Sequence, residues 1–570
     1  MPKPFRRTYS DIKQELRDNV ARNRSEKIAN LRLDVPKSAM AQQVLGGMQK
    51  ALDLPPHLTV KALAGTGKTT TMVEGVNYLR GNKPSIVPSP QQEAIWKQLA
   101  LTHRDASVGI TSFSKATVDD IENRITDIPN CTAMTLHKMG VKAVYRAYNQ
   151  IEVYDYRVNN IASEITGKTV EDLRFKNGPL LGLLQTLVSL CKANLLGVGI
   201  LQEFNPDYWE NEITKLALHH ELELLEKKDE LISLVPKVLV RCLDVNKDRM
   251  IDCDDMVWLP VVQQLPMQKF DLFITDESQD LNKAQQALAL RAGHRIVVCG
   301  DPYQSIYGWN GADSSSMTNM FRSLSGSELG CEQLKLTVTR RCSKAVVREA
   351  QKYVPEFEAH EDNDEGSVSK LGLAYQVAPN HYSKHVLDGD MVLCRSNAPL
   401  VSECLRMTSR GRKSSIKGKK IGEGLLAVLD KISKDSNSLT TTEIMLPLDE
   451  WGRVERGKEL AKRNPSDTVL ATISDKIACI QSFCEDSDTV GEIINKVKVV
   501  FSDATADKHK IQFSSIHGAK GLENNRVFLL QPVKAKRKKE KTKQPWMIEE
   551  EDNLMYVAIT RAKKDFIYVS

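Results

Sequence analysis

The stretch from Val60 to Thr71, V-K-A-L-A-G-T-G-K-T-T-T, constrains the fold of this 570-residue chain more than any other. A short apolar run leads through Gly65 and Gly67 to Lys68 and Thr69, and a helix-like segment follows. This order lets backbone N–H groups crowd around a polyphosphate, because glycine permits both the backbone angles and the close approach. The N-terminus of the following helix adds its dipole. The stretch therefore predicts a strand, a phosphate-binding loop and a helix.

The side chains of this loop match the chemistry of a nucleoside triphosphate site. Lys68 would supply a positive charge to the β and γ phosphates, and Thr69 a hydroxyl to Mg²⁺. The pattern G-x-x-x-x-G-K-[ST] is met except at its first position, where Ala62 stands. A chance glycine-rich turn is the alternative. The loop residues that we expect to bind nucleotide are Ala64, Gly65, Thr66, Gly67, Lys68, Thr69 and Thr70.

Length and composition restrict the class of protein. The chain is too long for one core and suggests three or four domains. A net charge of +6 is weak evidence for a nucleic-acid partner. The 11 cysteines are scattered without a C-x-x-C pair, which favours buried thiols in a reducing compartment over disulfides or zinc. No apolar run approaches the roughly 18 residues of a membrane span, so we expect a soluble, intracellular protein without membrane association.

Two adjacent carboxylates follow a buried strand. Phe270 to Asp280 reads F-D-L-F-I-T-D-E-S-Q-D. An Asp at the end of a strand beside a phosphate loop is suited to hold Mg²⁺, here through Asp276. The next carboxylate, Glu277, can polarise a water molecule for attack on the γ-phosphate.

A third strand begins near residue 295 and ends in a polar and aromatic segment. Gln304 follows the strand, with Tyr307 and Trp309 close behind. A polar sensor followed by aromatic side chains fits a loop that faces phosphate on one side and unstacked bases on the other. Ordinary core packing is the alternative for the two aromatic residues.

Two more polar strand ends follow the phosphate loop. Residues 108–112 read V-G-I-T-S and lead into a Ser/Thr-rich turn, and residues 133–140, A-M-T-L-H-K-M-G, carry Thr135 and His137. In open α/β sheets, ligands collect at the carboxyl ends of strands. We therefore expect these ends to form parts of one binding surface.

The aspartate-rich segment Asp244 to Asp255 carries oxygen ligands at several positions of a calcium loop. However, the turn glycine of such a loop is replaced by Arg249, and its closing Glu by Asp255. A calcium site is therefore the weaker interpretation.

The order of these segments predicts a domain organisation. Residues 1–37 are basic, and a solvated arm is favoured over a nucleic-acid tail. Residues 409–420 are also basic and are expected to form a loop, either solvated or tracking phosphates. The last residues predict a helix holding Tyr556 and Arg561, then an edge strand. The expected boundaries are an arm (1–37), a first lobe (38–140 and 251–330) with a helical insertion (141–250), and a second lobe (331–425 and 510–570) with a reduced insertion (426–509).

Eight short motifs occur in order and carry a family resemblance. They are A-L-A-G-T-G-K-T, F-S-K-A-T, T-L-H-K-M-G, D-E-S-Q-D, G-D-P-Y-Q-S-I-Y-G-W, T-R-R-C, S-I-H-G-A-K-G-L-E and Y-V-A-I-T-R-A. Because of these motifs, the chain resembles the UvrD/Rep/PcrA type of superfamily 1 helicase across residues 38–570. The resemblance implies an α/β fold of two RecA-like P-loop lobes. Each lobe is a parallel sheet flanked by helices and carries a mainly helical insertion, and ATP binds between the lobes. The second insertion, at about 85 residues, is smaller than usual for the family.

The resemblance also implies roles for individual residues. The ligands would be ATP and Mg²⁺, with Asp276 holding the metal, Glu277 activating water and Gln304 sensing the γ-phosphate. Arg341 and Arg561 would act as arginine fingers from the second lobe. Glu523 would contact the ribose, and Gln42 or Gln43 the adenine. The residues expected along the single-stranded DNA are Phe113, His137, Tyr307, Trp309 and His517.

Three positions depart from the family pattern. Thr70 stands where an Arg usually follows G-K-T, and Arg340 replaces a Tyr before the arginine finger. Those two family residues sandwich adenine, so base selectivity is expected to be looser, or Arg340 to stack instead. Asn310 replaces an Arg that commonly follows Trp309.

The expected function is ATP-driven movement on single-stranded DNA, with 3′ to 5′ polarity implied by the resemblance, and unwinding of duplex DNA in replication, repair or recombination. The alternatives are a translocase that displaces proteins with little unwinding, and a non-catalytic subunit that binds ATP as a switch. Expected partners are single-stranded DNA, its junctions with duplex, and replication or repair proteins. A monomer or weak dimer is expected, in the cytoplasm near the nucleoid in bacterial or viral systems and in the nucleus in eukaryotes.

Overall fold

The computed structural model describes residues 54–176, 180–197, 205–220, 222, 224, 227–306, 315–372, 381–434, 436–460, 467–485, 487–501, 509–531 and 545–570. The chain divides into two compact units, Met1–Pro55 and Pro56–Ser570, and the fold below is that of the second unit. The predictions that lie outside the described residues are those for the arm 1–37, Gln42, Gln43, Tyr307, Trp309 and Asn310.

The first lobe is built on a six-stranded, fully parallel sheet in the order β3-β2-β6-β7-β1-β8. The strand that leads into the phosphate loop is central, since Val60 pairs with Cys299 on one side and Leu334 on the other. The strands of this half of the chain are β1 His57–Ala62, β2 Val108–Thr111, β3 Cys131–Ala133, β4 Glu152–Val153, β5 Met250–Ile251, β6 Phe270–Thr275, β7 Gly293–Gly300 and β8 Cys331–Leu336.

Helices flank this sheet, and local sequence sets where several of them begin. Ser89 and Gln92 form a capping box with Pro90 at the first turn, and Asn282 and Gln285 form another. The helices of this half are α1 Lys68–Leu79, α2 Pro90–Leu99, α3 Lys115–Arg124, α4 Leu136–Ala147, α5 Arg157–Thr166, α6 Leu180–Asn194, α7 Pro206–His219, α8 Lys228–Leu243, α9 Val245–Asp248, α10 Asp255–Val262, α11 Lys283–Leu290 and α12 Ser316–Ser325.

The helices between β3 and β6 form a separate layer with its own apolar core, which extends from Ala143 to Leu265. The short strands β4 and β5 pair in parallel at its base. This layer overlaps the expected first insertion (141–250) but extends past its predicted end, through α10 to Leu265. Its helices alternate buried Leu and Val with exposed charged residues, the pattern of an amphipathic helix packed on one face.

The aspartates considered above for calcium form buried ion pairs instead. Arg157 contacts Asp248 at 3.0 Å and Asp255 at 2.7 Å. Lys192 contacts Asp252 at 2.6 Å and Asp255 at 2.8 Å. No group of three or more His, Cys, Asp or Glu suited to a metal occurs among the described residues. The acidic side chains are therefore neutralised by protein cations.

The second lobe also contains a six-stranded parallel sheet, in the order β11-β16-β15-β12-β14-β13. Its helices are α13 Lys344–Ala350, α14 Ala398–Ser409, α15 Lys419–Ser433, α16 Thr441–Leu460, α17 Asp467–Cys484, α18 Val490–Val500 and α19 Pro545–Ile559. The strands are β9 Val338–Thr339, β10 Glu358–Ala359, β11 Ser367–Leu371, β12 Met391–Cys394, β13 Ser414–Ile416, β14 Ile511–Ser515, β15 Asn524–Leu530 and β16 Ala562–Val569; β9 and β10 pair separately.

The second insertion consists of α15 to α18 and shares one apolar core with the second sheet. Val392 and Phe513 of the sheet belong to the same buried cluster as Leu429, Ile477 and Phe483 of the insertion. Asp475 on α17 also accepts hydrogen bonds from the backbone N–H groups of residues 397 and 398 at the start of α14, at 3.0 and 2.6 Å. The insertion is thus continuous with the second lobe.

The structure corrects four sequence-based expectations. The second lobe does not begin at 331, because β8 completes the first sheet. The segment 409–420 is not only a loop, since β13 pairs with β14 and α15 begins at Lys419, before the expected boundary at 426. The last strand is not an edge strand, because β16 lies between β11 and β15. Arg561 follows the last helix, which ends at Ile559. Across the described ranges, no helix has both the length and the apolar character needed to span a bilayer.

Candidate active site

A cavity of about 350 Å³ lies between the two lobes, at the carboxyl ends of the central strands of the first sheet. The first lobe contributes the phosphate loop and the ends of β2, β6 and β7, and the second lobe contributes arginine and lysine side chains. The lining residues are Gly65, Gly67, Lys68, Thr69, Thr70, Phe113, Ser114, Thr117, Glu277, Asp280, Gln304, Arg341, Lys520, Gly521 and Arg561.

The phosphate loop takes a conformation that requires its glycines. Gly65 has φ +67° and Gly67 has φ +80°, in the left-handed region. A Cβ atom on Gly65 would lie 2.5 Å from Cβ of Arg341 and 2.6 Å from Oγ1 of Thr339. The loop therefore packs closely against the second lobe, and its backbone curvature suits the binding of an anion.

Thr69 and Asp276 lie side by side, with the Thr69 hydroxyl 2.6 Å from Oδ2 of Asp276. Burial and the neighbouring Glu277 raise the pKa of Asp276 to about 6. One hydroxyl and one carboxylate fit Mg²⁺, which prefers hard oxygen ligands and takes the rest of its shell from phosphate and water. The donor set thus suits this metal.

Lys68 and Glu277 form a salt bridge within the cavity, with Nζ 3.0 Å from Oε1. Burial opposes charge on Glu277, but Lys68 and Lys520 outweigh it and lower its pKa to about 2. Burial likewise opposes charge on Lys68, and Glu277, Asp301 and Asp276 raise its pKa overall. Glu277 has φ +52°, unusual for a residue other than glycine, and backbone strain of this kind concentrates at functional sites.

Gln304 joins the two lobes through its side-chain amide. Its Nε2 donates to Oδ2 of Asp301 at 2.7 Å, and its Oε1 accepts from Nη2 of Arg561 at 3.3 Å. Arg561 also donates to the backbone oxygens of Val557 and Leu522, both at 3.0 Å. Burial and the nearby Arg341 lower the pKa of Arg561 to about 10. The guanidinium is held in place by the second lobe and directed at the first.

Arg341 lies over the phosphate loop and pairs with Glu523, with Nε 2.6 Å from Oε2. Glu523 also contacts Lys563 at 2.5 Å. Arg340 is exposed, and its backbone N–H donates a hydrogen bond to the backbone oxygen of Gly65 at 3.1 Å. Of these three residues predicted for nucleotide binding, Arg341 lines the cavity, whereas Arg340 and Glu523 are outside the lining and contact Gly65 and Arg341, respectively.

Thr70, which departs from the family pattern, has a partner on α3. Its hydroxyl accepts a hydrogen bond from Nη2 of Arg124 at 3.0 Å. An arginine from another element therefore lies beside the position at which the family has one in sequence.

Of the described residues predicted to contact DNA, one lines the cavity and two do not. Phe113 lines the cavity together with the phosphate loop. His137, on α4, and His517, after β14, are half-buried and outside that lining. Burial lowers the pKa of His137, and burial with the charges of Arg395 and Lys520 lowers the pKa of His517 to about 4, so both rings are neutral at physiological pH.

Several site residues were missed at the sequence level. Lys520 contacts both carboxylate oxygens of Asp280, at 2.6 and 2.7 Å, and the backbone oxygen of Gln304 at 2.5 Å. Asn553 donates to the backbone oxygen of Ser305 at 3.1 Å. Asp280 stands within the motif D-E-S-Q-D and Lys520 within S-I-H-G-A-K-G-L-E, and these motifs were the available signal. Their pairing across the lobes has no local signature.

Comparisons with known proteins agree with this architecture. A family model for the UvrD/REP helicase N-terminal domain matches residues 48–324, and one for the UvrD-like helicase C-terminal domain matches residues 337–570. These two matches fall on the first and second lobes with their insertions.

Individual relatives are distant. The chain is 23% identical to F-box DNA helicase 1 of Gallus gallus over 541 residues, covering 89% of this chain and 46% of that protein. It is 22% identical to ATP-dependent DNA helicase PcrA of Bacillus subtilis (strain 168), covering 60% and 44%. For F-box DNA helicase protein 1 of Schizosaccharomyces pombe, identity is 22% and coverage 90% and 55%. The chain spans about half the length of the curated relatives that it matches.

Proposed function

The chain belongs to the UvrD/REP helicase family, and from that premise we propose that it is an ATP-dependent DNA helicase that moves on single-stranded DNA in the 3′ to 5′ direction and unwinds duplex ahead of it. The observation that supports this most directly is the shared cavity. It combines a phosphate loop, a carboxylate base and a polar sensor of one lobe with two arginines of the other. Such a site is complete only while the lobes are together.

In the proposed reaction, Lys68 and the loop backbone bind the phosphates of ATP. Thr69 and Asp276 would hold Mg²⁺, which would supply positive charge beside the phosphate oxygens. Glu277 accepts a proton from the attacking water, and Gln304 contacts the γ-phosphate. Because Lys68 pairs with Glu277 at 3.0 Å, we expect the phosphates of ATP to compete with the carboxylate for the lysine and to draw it away. That separation leaves Glu277 a stronger base.

The second lobe supplies the positively charged side chains that would contact ATP. Arg341 and Arg561 would stabilise the transferring phosphoryl group, and Glu523 would contact the ribose. Hydrolysis converts ATP to ADP and phosphate, and the release of phosphate removes the anion that these arginines contact, which weakens the attraction between the lobes. Alternating closure and opening would then move the protein along a strand gripped by both lobes.

The DNA surface is proposed at the segments that follow the carboxyl ends of the strands. Aromatic side chains stack on bases of any sequence, which suits a motor that must pass all sequences. The residues proposed for this surface are Phe113, His137, Tyr307, Trp309 and His517. Protein partners in replication or repair, and a location with cellular DNA, follow from the same proposal.

A second candidate is a translocase that displaces bound proteins and unwinds poorly. The second insertion favours it, because it is small and shares a core with its lobe. A non-catalytic ATP switch is disfavoured, since every catalytic group of the family pattern is present.

The test is ATP hydrolysis with and without single-stranded DNA, followed by unwinding of duplexes with a 3′ or a 5′ tail. Lys68→Ala and Glu277→Gln should each lower DNA-stimulated hydrolysis about 100-fold or more. Lys83→Ala and Glu361→Gln, exposed positions outside the cavity, serve as controls. Absence of hydrolysis by wild type with DNA would overturn the motor proposal, and hydrolysis without unwinding on either tail would favour the translocase.

A further inference from the structure

Tyr556 is fully buried at the contact between the lobes, although it belongs to α19 of the second lobe. Its ring packs edge-on against Tyr303 of the first lobe, with centroids 6.1 Å apart, and against Phe357, at 5.7 Å. Leu63 and Ala64 of the phosphate loop belong to the same apolar cluster. The ring therefore has one position while the lobes are together.

The hydroxyl of Tyr556 makes two hydrogen bonds, and their direction is fixed by chemistry. It accepts from the backbone N–H of Ala64 at 3.0 Å, since that group can only donate. It donates to Oδ2 of Asp301 at 3.3 Å. Burial, with the Asp301 carboxylate beside it, raises the pKa of Tyr556 well above its ordinary value, so the hydroxyl keeps the proton that it donates.

Asp301 connects this hydroxyl to the sensor. The same Oδ2 atom accepts from Nε2 of Gln304 at 2.7 Å, while Oδ1 accepts from the backbone N–H of Tyr303 at 3.1 Å. With its nitrogen bound to the carboxylate, the amide of Gln304 presents its oxygen to Arg561. Gln304 also lines the cavity.

We propose that Tyr556 is a positioning residue for ATP hydrolysis, which sets the orientation of Gln304 through Asp301 and anchors the phosphate loop through Ala64 only when the lobes are closed. It differs from the arginine fingers, because it contacts no phosphate. The inference rests on the proposed ATPase function. Through Tyr556, the second lobe makes an uncharged contact that orders the site before charge develops on the transferring phosphoryl group.

The test is Tyr556→Phe, which keeps the ring and removes the hydroxyl. We expect kcat of DNA-stimulated ATP hydrolysis to fall about tenfold, with a smaller change in KM for ATP, because a buried carboxylate and a buried N–H each lose a partner. Tyr382→Phe is the matched control. Tyr382 is equally buried, and its hydroxyl donates to Glu403 at 2.7 Å within the second lobe, away from the cavity. An unchanged kcat in Tyr556→Phe, or an equal loss in Tyr382→Phe, would overturn the proposal.

A double-mutant cycle with Asp301→Asn separates this inference from the function on which it rests. If Tyr556 acts in part through Asp301, the loss of kcat in the double variant should be smaller than the product of the two single losses. The same cycle in thermal unfolding measures the contact without catalysis. Wild type without ATPase activity would refute the proposed function, whereas additive effects in the unfolding cycle would refute the coupling of Tyr556 to Asp301.

Discussion

Lys68 and Glu277 face each other across the cavity, with Nζ 3.0 Å and 3.1 Å from the two carboxylate oxygens. The residue proposed to bind the γ-phosphate and the residue proposed to activate water are thus each other's partners. The carboxylate also accepts from Nε2 of Gln279 at 2.5 Å. Removing the lysine would leave a half-buried carboxylate, 26% exposed, with the Gln279 amide as a hydrogen-bond partner and Lys520 as a nearby charge.

We therefore expect Lys68→Met to lower the unfolding temperature in a pH-dependent way. In wild type the pKa of Glu277 is lowered from 4.5 to about 2, so the pair stabilises the fold above pH 4.5, and this contribution is lost as pH falls through about 2. Without Lys68, burial is less opposed and the pKa of Glu277 rises. The variant should be destabilised by about 3 kcal/mol at pH 7 and by less at pH 5, where the carboxyl binds a proton.

The measurement is the unfolding temperature of both proteins between pH 5 and 8. Lys83→Met, at an exposed position, is the control and should match wild type throughout. If the difference in unfolding temperature between Lys68→Met and wild type stays constant with pH, the loss of stability does not come from the half-buried Glu277 carboxyl.

A second prediction concerns the ion pair between Lys520 and Asp280, whose side chains are 9% and 2% exposed. Burial raises the pKa of Asp280 to about 6 even with the lysine present. Lys520→Met should therefore cost about 3–5 kcal/mol, and Asp280→Asn in the same chain should recover much of it, because the uncompensated charge is gone. Thermal unfolding of the three proteins tests this. Lys335→Met removes an exposed partner of Glu356 and should cost less than about 1 kcal/mol.

A third prediction follows from the aspartates of the first insertion. Arg157 and Lys192 already neutralise them, so millimolar calcium or its chelation should leave the unfolding temperature unchanged. Arg157→Met, in contrast, should destabilise the chain by about 3–5 kcal/mol, since Asp255 is fully buried. A rise in unfolding temperature on adding calcium that persists in Asp276→Asn, which removes a carboxylate of the cavity, would contradict this prediction.

The sequence predicted the elements that depend on local patterns. The phosphate loop is such a pattern, because its glycines and Lys68 stand in one short stretch between a buried strand and a helix. Asp276 and Glu277 could be predicted for the same reason, because they directly follow an apolar strand. In both cases the chemistry and the local backbone are specified by neighbouring residues.

What escaped prediction depends on contacts between distant segments. Tyr556 and Ala64 are 492 positions apart, and Lys520 and Asp280 are 240 apart. Strand β13 was read as part of a basic loop, because an edge strand exposes one side to water and tolerates polar residues. Strand β8 was assigned to the wrong lobe, since a parallel strand gives no local sign of which sheet it joins.

The fourth prediction tests how closely the lobes approach at the phosphate loop. Gly65→Ala places a methyl group 2.5 Å from Cβ of Arg341 and 2.6 Å from Oγ1 of Thr339, at a φ of +67°. The backbone of the second lobe must move away, so we expect ATP hydrolysis to fall at least about tenfold, since a displacement of about 1 Å at a catalytic group has effects of this size or larger. Gly411→Ala separates strain from this clash, because Gly411 has φ +76° and no atom within 4 Å of the added carbon. It should lose about 1–2 kcal/mol of stability and keep its ATPase activity. Equal ATPase rates in wild type and Gly65→Ala would mean that hydrolysis does not require the loop and Arg341 to approach this closely.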